Sequence, residues 1–268
     1  MKNNETEFFA TRHSLKVGEG DKESKKYPGL VYPEGEELGK ERARHDIAIM
    51  IEQAPAEAVI LIGGASNQIR TKSTAQLYGD NLKELFKDRN DVAVITRDEM
   101  TEIMSSGNKK ESYRNIFENN FGKKIVIDFP MYLKELPLAQ WILDLPEREN
   151  PEAIKEWLIK GTGMVNEKGE SAPDPEEVAK NQIKALEKLK IFVEQYAKGR
   201  PLVIGAVGHS WNLDALLAYL ASNKKGIDAK AYEKICQGEI GIRETQLIKF
   251  KIKDDKVELN FRGKNFEL

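Results

Sequence analysis

The sequence predicts an α/β fold: a doubly wound, mostly parallel sheet with helices on both faces, a C-terminal hairpin and an inserted lid segment. Two observations carry this. Short runs rich in β-branched residues alternate with longer segments of helical apolar spacing, the pattern of a parallel sheet covered on both sides. Only the C-terminal stretch, TQLIKFKIKDDKVELNFRG, alternates apolar and polar residues about Asp254 and Asp255, as a hairpin with one solvated face does.

In chain order, strands are expected near 8–11, 58–63, 92–96, 124–128 and 202–207. Helical periodicity marks KERARHDIAIMIEQA, then IRTKSTAQLYGDNLKELFK, then the stretch from Pro175 to Tyr196. The last begins with Asp174 as a cap, Pro175 in the first turn, and Glu176 and Glu177 against the helix dipole. Between about 129 and 173 lie prolines at 130, 137, 146, 151 and 173, Trp141 and Trp157, and the loop-like GTGMVNEKGESAPD. This stretch reads as a lid inserted into a single domain spanning 1–268.

Bulk properties narrow the function. The net charge of -2 offers no global field for nucleic acid or an anionic membrane, so any anion site must be built locally. Cys236 is the only cysteine, and MKNNETEFF lacks the basic-then-apolar pattern of a signal peptide, so a reducing, cytoplasmic setting is expected. The longest apolar runs, VILIGG and PLVIGAVG, fall far short of the roughly 20 residues a membrane span requires.

Ligands of open α/β sheets bind beyond the carboxyl ends of the strands, so the residues just after each strand hold the chemistry. The first strand delivers Arg12 and His13. The second delivers Ser66 and then, at a helix start, Arg70. The third is followed by RDEMTE, with Asp98, Glu99 and Glu102. The strand PLVIGAVG delivers His209 and Ser210. A neutral imidazole can attack phosphorus and form a phosphohistidine that water later cleaves. Arginines suit the transferring group because a planar guanidinium binds two of its oxygens at once. A carboxyl group is needed to protonate the leaving oxygen and then activate water.

With these residues in place, the chain resembles the histidine phosphatase superfamily, also called phosphoglycerate mutase-like. ATRHSLK resembles the family's Arg-His signature, SNQIRTKSTA its Ser-x-x-x-Arg-x-x-x-Thr-Ala segment, and VGHS its second-histidine motif, in the family's order over residues 10–210. The resemblance implies a metal-independent phosphomonoesterase that needs no cofactor and acts on a small phosphorylated substrate. His13 matches the nucleophile, Arg12 and Arg70 the phosphate-binding arginines, and His209 the second phosphate-pocket histidine. For the acid, MTE at 100–102 fits the family spacing and points to Glu102, with Glu99 and Asp98 open. Two further readings stand beside it: a phosphomutase, and a non-catalytic phospholigand-binding protein without a competent acid.

The match has departures. Ser14 stands where the family often has Gly, and Leu15 and Lys16 replace a more usual polar pair. No downstream Arg-Arg pair serves a mutase's second phosphate, which favours hydrolysis. Lys16 is either a substrate contact or a solvated loop residue. Other features read as structural: His45 as a surface residue, Trp141 and Trp157 as packing anchors, and Gly63-Gly64 as no dinucleotide loop because G-x-G-x-x-G is missing. One cysteine and no paired-histidine spacing leave no readable zinc site.

Overall fold

The structure, a computed structural model, describes residues 6–64, 68–130, 138–146, 150–197, 199–253 and 256–268. Its strands are β1 (Glu7–Arg12), β2 (Val59–Gly64), β3 (Val92–Ile95), β4 (Lys124–Phe129), β5 (Leu202–Gly208), β6 (Leu247–Lys253), β7 (Lys256–Phe261) and β8 (Lys264–Glu267). They form one sheet in the order β3-β4-β2-β5-β1-β6-β7-β8. From β3 to β1 all pairings are parallel, and from β1 to β8 all are antiparallel. The expected hairpin is therefore present as β6 and β7, extended by β8. Its turn at Asp254 and Asp255 lies outside the described residues.

The helices are α1 (Glu34–Arg42), α2 (Ala48–Gln53), α3 (Ile69–Phe86), α4 (Arg97–Ser105), α5 (Lys109–Asn119), α6 (Leu138–Leu143), α7 (Pro151–Lys160), α8 (Pro175–Ala197), α9 (Ser210–Ala221) and α10 (Ala229–Cys236). A π-helical turn, Ala43–Ile47, joins α1 to α2, and His45 sits on it exposed. The helix expected over KERARHDIAIMIEQA thus begins earlier, at Glu34. The start of α8 is as the sequence implies, with Asp174 accepting from Glu176 N at 2.8 Å.

Period-two alternation explains how one sheet carries two cores. Phe8, Val59, Leu61, Ile125 and Ile204 face the layer that includes α5, α7, α8 and α9, whereas Phe9, Ile60, Ile62, Val126 and Val203 face α1, α2 and α3. No helix among the described residues is long and apolar enough to cross a membrane.

The stretch between β4 and α8 is built on tryptophans. Trp141 and Trp157 are both buried, and their rings lie 6.1 and 5.4 Å from that of Trp211 at the start of α9. Each indole N–H finds a carbonyl: Trp141 donates to Glu170 O at 2.9 Å and Trp157 to Pro173 O at 2.8 Å. This is how a buried indole keeps both its area and its donor satisfied.

One buried ion pair ties α4 to the sheet. Asp128 of β4 is fully buried and accepts from Arg97 Nη2 at 3.2 Å and Nε at 3.4 Å. Burial pushes its carboxyl up to about 6, against the pull of Arg97. Arg97→Met leaves that carboxylate without its partner and is expected to cost about 3 kcal/mol, read as a lower urea midpoint at pH 7.5.

Candidate active site

Strand register brings the two histidines together. β1 and β5 are parallel neighbours with Arg12 opposite Gly208, so the next residue of each strand, His13 and His209, emerges side by side. His13 N donates to Gly208 O at 3.0 Å, and the two imidazole rings meet edge to face with centroids 5.1 Å apart. β2 lies beyond β5, and α3, which follows it, carries Arg70 in its first turn. Arg70 Nε stands 3.3 Å from His13 Nε2. The four basic residues that the resemblance assigns to the phosphate site, Arg12, His13, Arg70 and His209, line one cavity of about 540 Å³. Ser66 lies outside the described residues.

The ring of His13 is held in one orientation. Its Nδ1 lies 2.5 Å from Ser14 O, an atom with no proton to give, so Nδ1 carries the hydrogen and Nε2 carries the lone pair. Burial holds its pKa well below the ordinary histidine range, with His209, Arg70 and Arg12 adding to the effect. The imidazole is therefore neutral at pH 7.

Ser14 is tied into the loop by bonds of its own. It is fully buried, its Oγ donates to Gly35 O at 2.6 Å, and its N–H donates to Thr74 Oγ1 at 3.1 Å. Thr74 in turn donates to Arg70 O at 2.8 Å. The threonine of the SNQIRTKSTA segment thus couples the loop after β1 to the turn of α3 that bears Arg70.

Arg12 is held from the opposite direction in the chain. Its Nη1 donates to Ile242 O at 2.8 Å and its Nη2 pairs with Glu244 Oε1 at 2.7 Å. Its Nε is buried with no protein partner among the described residues. The 240–244 loop is anchored by a buried network: Tyr232 donates to Asp214 at 2.8 Å, Ser210 Oγ donates to the same carboxylate at 2.7 Å, and Gly241 N donates to the Tyr232 oxygen at 3.0 Å. Burial pushes Asp214 up to about 6, while its bonds to Ser210 and Tyr232 and the nearby Arg12 pull it down.

Glu102 does not join this group. It lies exposed on α4, which follows the edge strand β3, and it is absent from the cavity lining. Four strand spacings separate β3 from β1, about 19 Å. The insertion of β4 between β3 and β2 is the reason: it pushes whatever follows β3 outward. Asp98 is exposed as well, and Glu99 is engaged in capping α4, where its Oε2 accepts from Thr96 N and Oγ1, both at 2.7 Å. Among the described residues the carboxylate that lines the cavity is Glu244. Neither Glu244 nor Asp214 was singled out in the sequence. Glu244 has no strand-end signal, while Asp214 carried one, a lone acid in the otherwise apolar LDALLAYLA. Lys16 also lines the cavity, as does Arg243. No group of three His, Cys, Asp or Glu side chains gathers among the described residues where it could hold a metal ion.

A scan against family models gives no match, and a search of curated proteins gives none. Among solved structures, the chain is similar to the product of open reading frame Rv3214 from Mycobacterium tuberculosis, at 12% identity and a TM-score of 0.44, covering 97% of this chain and 98% of that one. It is also similar to mycobacterial glucosyl-3-phosphoglycerate phosphatase Rv2419c, solved with inorganic phosphate, at 13% identity and a TM-score of 0.41, covering 91% of this chain and 88% of that one.

Proposed function

We propose that the protein is a phosphomonoesterase of the histidine phosphatase type, acting through a phosphohistidine at His13 without a metal. The observation that carries this reading is the His13 imidazole, neutral and held with Nε2 toward the guanidinium of Arg70. Nε2 attacks phosphorus and the bond to the ester oxygen breaks, so the phosphoryl group passes to nitrogen and the alcohol leaves with a proton from a carboxyl group. Water then attacks phosphorus while the carboxylate takes up its proton, the P–N bond breaks, and inorganic phosphate leaves as His13 regains its lone pair. Arg12, Arg70 and His209 hold the equatorial oxygens, where charge stabilisation lowers the barrier most. The test is rapid acid-free quenching with a labelled phosphomonoester: a base-stable, acid-labile phosphoryl group on His13 is expected, and turnover with no such species sinks the reading.

We assign the leaving-group acid to Glu244, which must take up a proton from solvent once the phosphoryl group displaces it from Arg12. Paired variants decide the point. Glu244→Gln is expected to lower kcat by about 10²-fold for alkyl phosphates and far less for p-nitrophenyl phosphate, whose leaving group needs no proton. Glu102→Gln should have no effect. Glu135, the only carboxylate between Pro130 and Leu138, completes the set. If its Gln variant, or that of Glu102, shows the leaving-group dependence instead, the assignment moves there.

The depressed pKa of His13 sets the acid limb. Only the neutral ring attacks, so loss of kcat/KM through protonation of this ring is expected only in solution more acid than pH 6.5. Folding stability follows the same group. Below pH 6.5 the unfolded chain takes up a proton that the buried ring resists, so this residue's contribution weakens as pH falls.

A further inference from the structure

The strand ends supply the cavity with Arg12, His13, Arg70 and His209, but the inserted stretch and the loop after α10 supply something different. Ile142 and Leu143 of α6, Pro151 and Ile154 of α7, Trp211 and Ile240 all line the same cavity. None of these side chains accepts a hydrogen bond, and only Trp211 bears a donor. Ile154 and Trp211 are buried and Ile142 and Ile240 rest partly against the core, so the apolar surface a ligand can reach is that of Leu143, which is 58% exposed, of Pro151, and of the open edges of Ile142 and Ile240. Behind it, Trp141, Trp157 and Trp211 form a buried aromatic base that fixes the wall in place.

From this we infer that the alcohol part of the substrate is apolar: an aryl or alkyl phosphomonoester, in preference to a sugar or polyol phosphate. The inference rests on the phosphatase reading for the position of the phosphoryl group. A polyhydroxy leaving group laid against these side chains would lose its water there and regain hydrogen bonds only where it reaches Lys16, Ser210, Asn212, Arg243 or Glu244 elsewhere in the cavity, which costs affinity. An alkyl or aryl group there removes apolar surface from water on both sides, and each buried methylene strengthens binding about fourfold.

Binding can be read without turnover. Calorimetry with methylphosphonate, hexylphosphonate and 2,3-dihydroxypropylphosphonate is expected to give hexylphosphonate a Kd about tenfold or more below the other two, with a negative heat-capacity change. The double variant Leu143→Ser/Ile240→Ser should shrink that ratio to about twofold or less. Equal affinities in the native protein, an unchanged ratio in the variant, or no binding by any of the three overturns the inference. A retained preference in a protein that releases no phosphate sinks the phosphatase reading and leaves the apolar subsite standing.

Discussion

His13→Ala is expected to lower phosphate release by about 10⁴-fold or more at saturating substrate, because it removes the group we assign as nucleophile and not merely a contact. The structure gives the substitution an unusually clean interpretation. His13 is buried beside His209 and Arg70, so alanine deletes one ring while the backbone bond from His13 N to Gly208 O, which holds β1 to β5, remains. Arg12, Arg70 and His209 remain around the cavity, so phosphate affinity should survive. The expected result is therefore a protein that binds inorganic phosphate within about tenfold of the native Kd and does not turn over. Activity that persists in the variant would mean that water attacks phosphorus directly and that His13 only positions the group. Two other outcomes identify the competing readings. A native protein that needs a bisphosphate primer and releases little phosphate is a mutase. One that binds phosphonates and turns over no ester on a broad panel is a binding protein.

How much of this was legible in the sequence depended on whether the signal was local. Apolar strands, the Asp174-Pro175 helix start and the residues that end β1 and β5 are local, and the structure places Arg12, His13, Arg70 and His209 around one cavity. Strand order is not local. The sequence shows β3 and β4 as successive strands but holds nothing that says β4 lies between β3 and β2, and that single fact removes Glu102 from the neighbourhood of His13. The same limit hid Glu244. It sits in a loop before β6, and only the pairing of β6 with β1 brings that loop onto Arg12. Lys16 stood open between substrate contact and solvated loop residue. It is exposed and lines the cavity, which is compatible with either role.

The largest expected effect on the fold itself comes from one methyl group in β5. Gly205 stands opposite Phe9 in the β1–β5 register, and the Phe9 ring lies across it. A Cβ added at Gly205 would fall 1.9 Å from Phe9 Cζ and 2.1 and 2.2 Å from its Cε atoms. Phe9 is fully buried among Ile60, Ile62 and the residues of α3, so the ring has no empty space to enter and must displace its neighbours or part the two strands. Overpacking of this kind costs about 3 kcal/mol or more, well beyond what the added methyl could gain by burial. Gly205→Ala is therefore expected to lower the urea midpoint sharply. It should also lower phosphate release, since β1 and β5 set the spacing of His13 and His209. Phe9→Ala alone leaves a cavity and costs about 3 kcal/mol by a different route. Combined, the two changes should cost less than their sum by about 1–3 kcal/mol, because the new methyl occupies part of the space the ring vacates. Strict additivity would show that the two residues do not share that space, and the close approach of Phe9 to Gly205 would then be wrong.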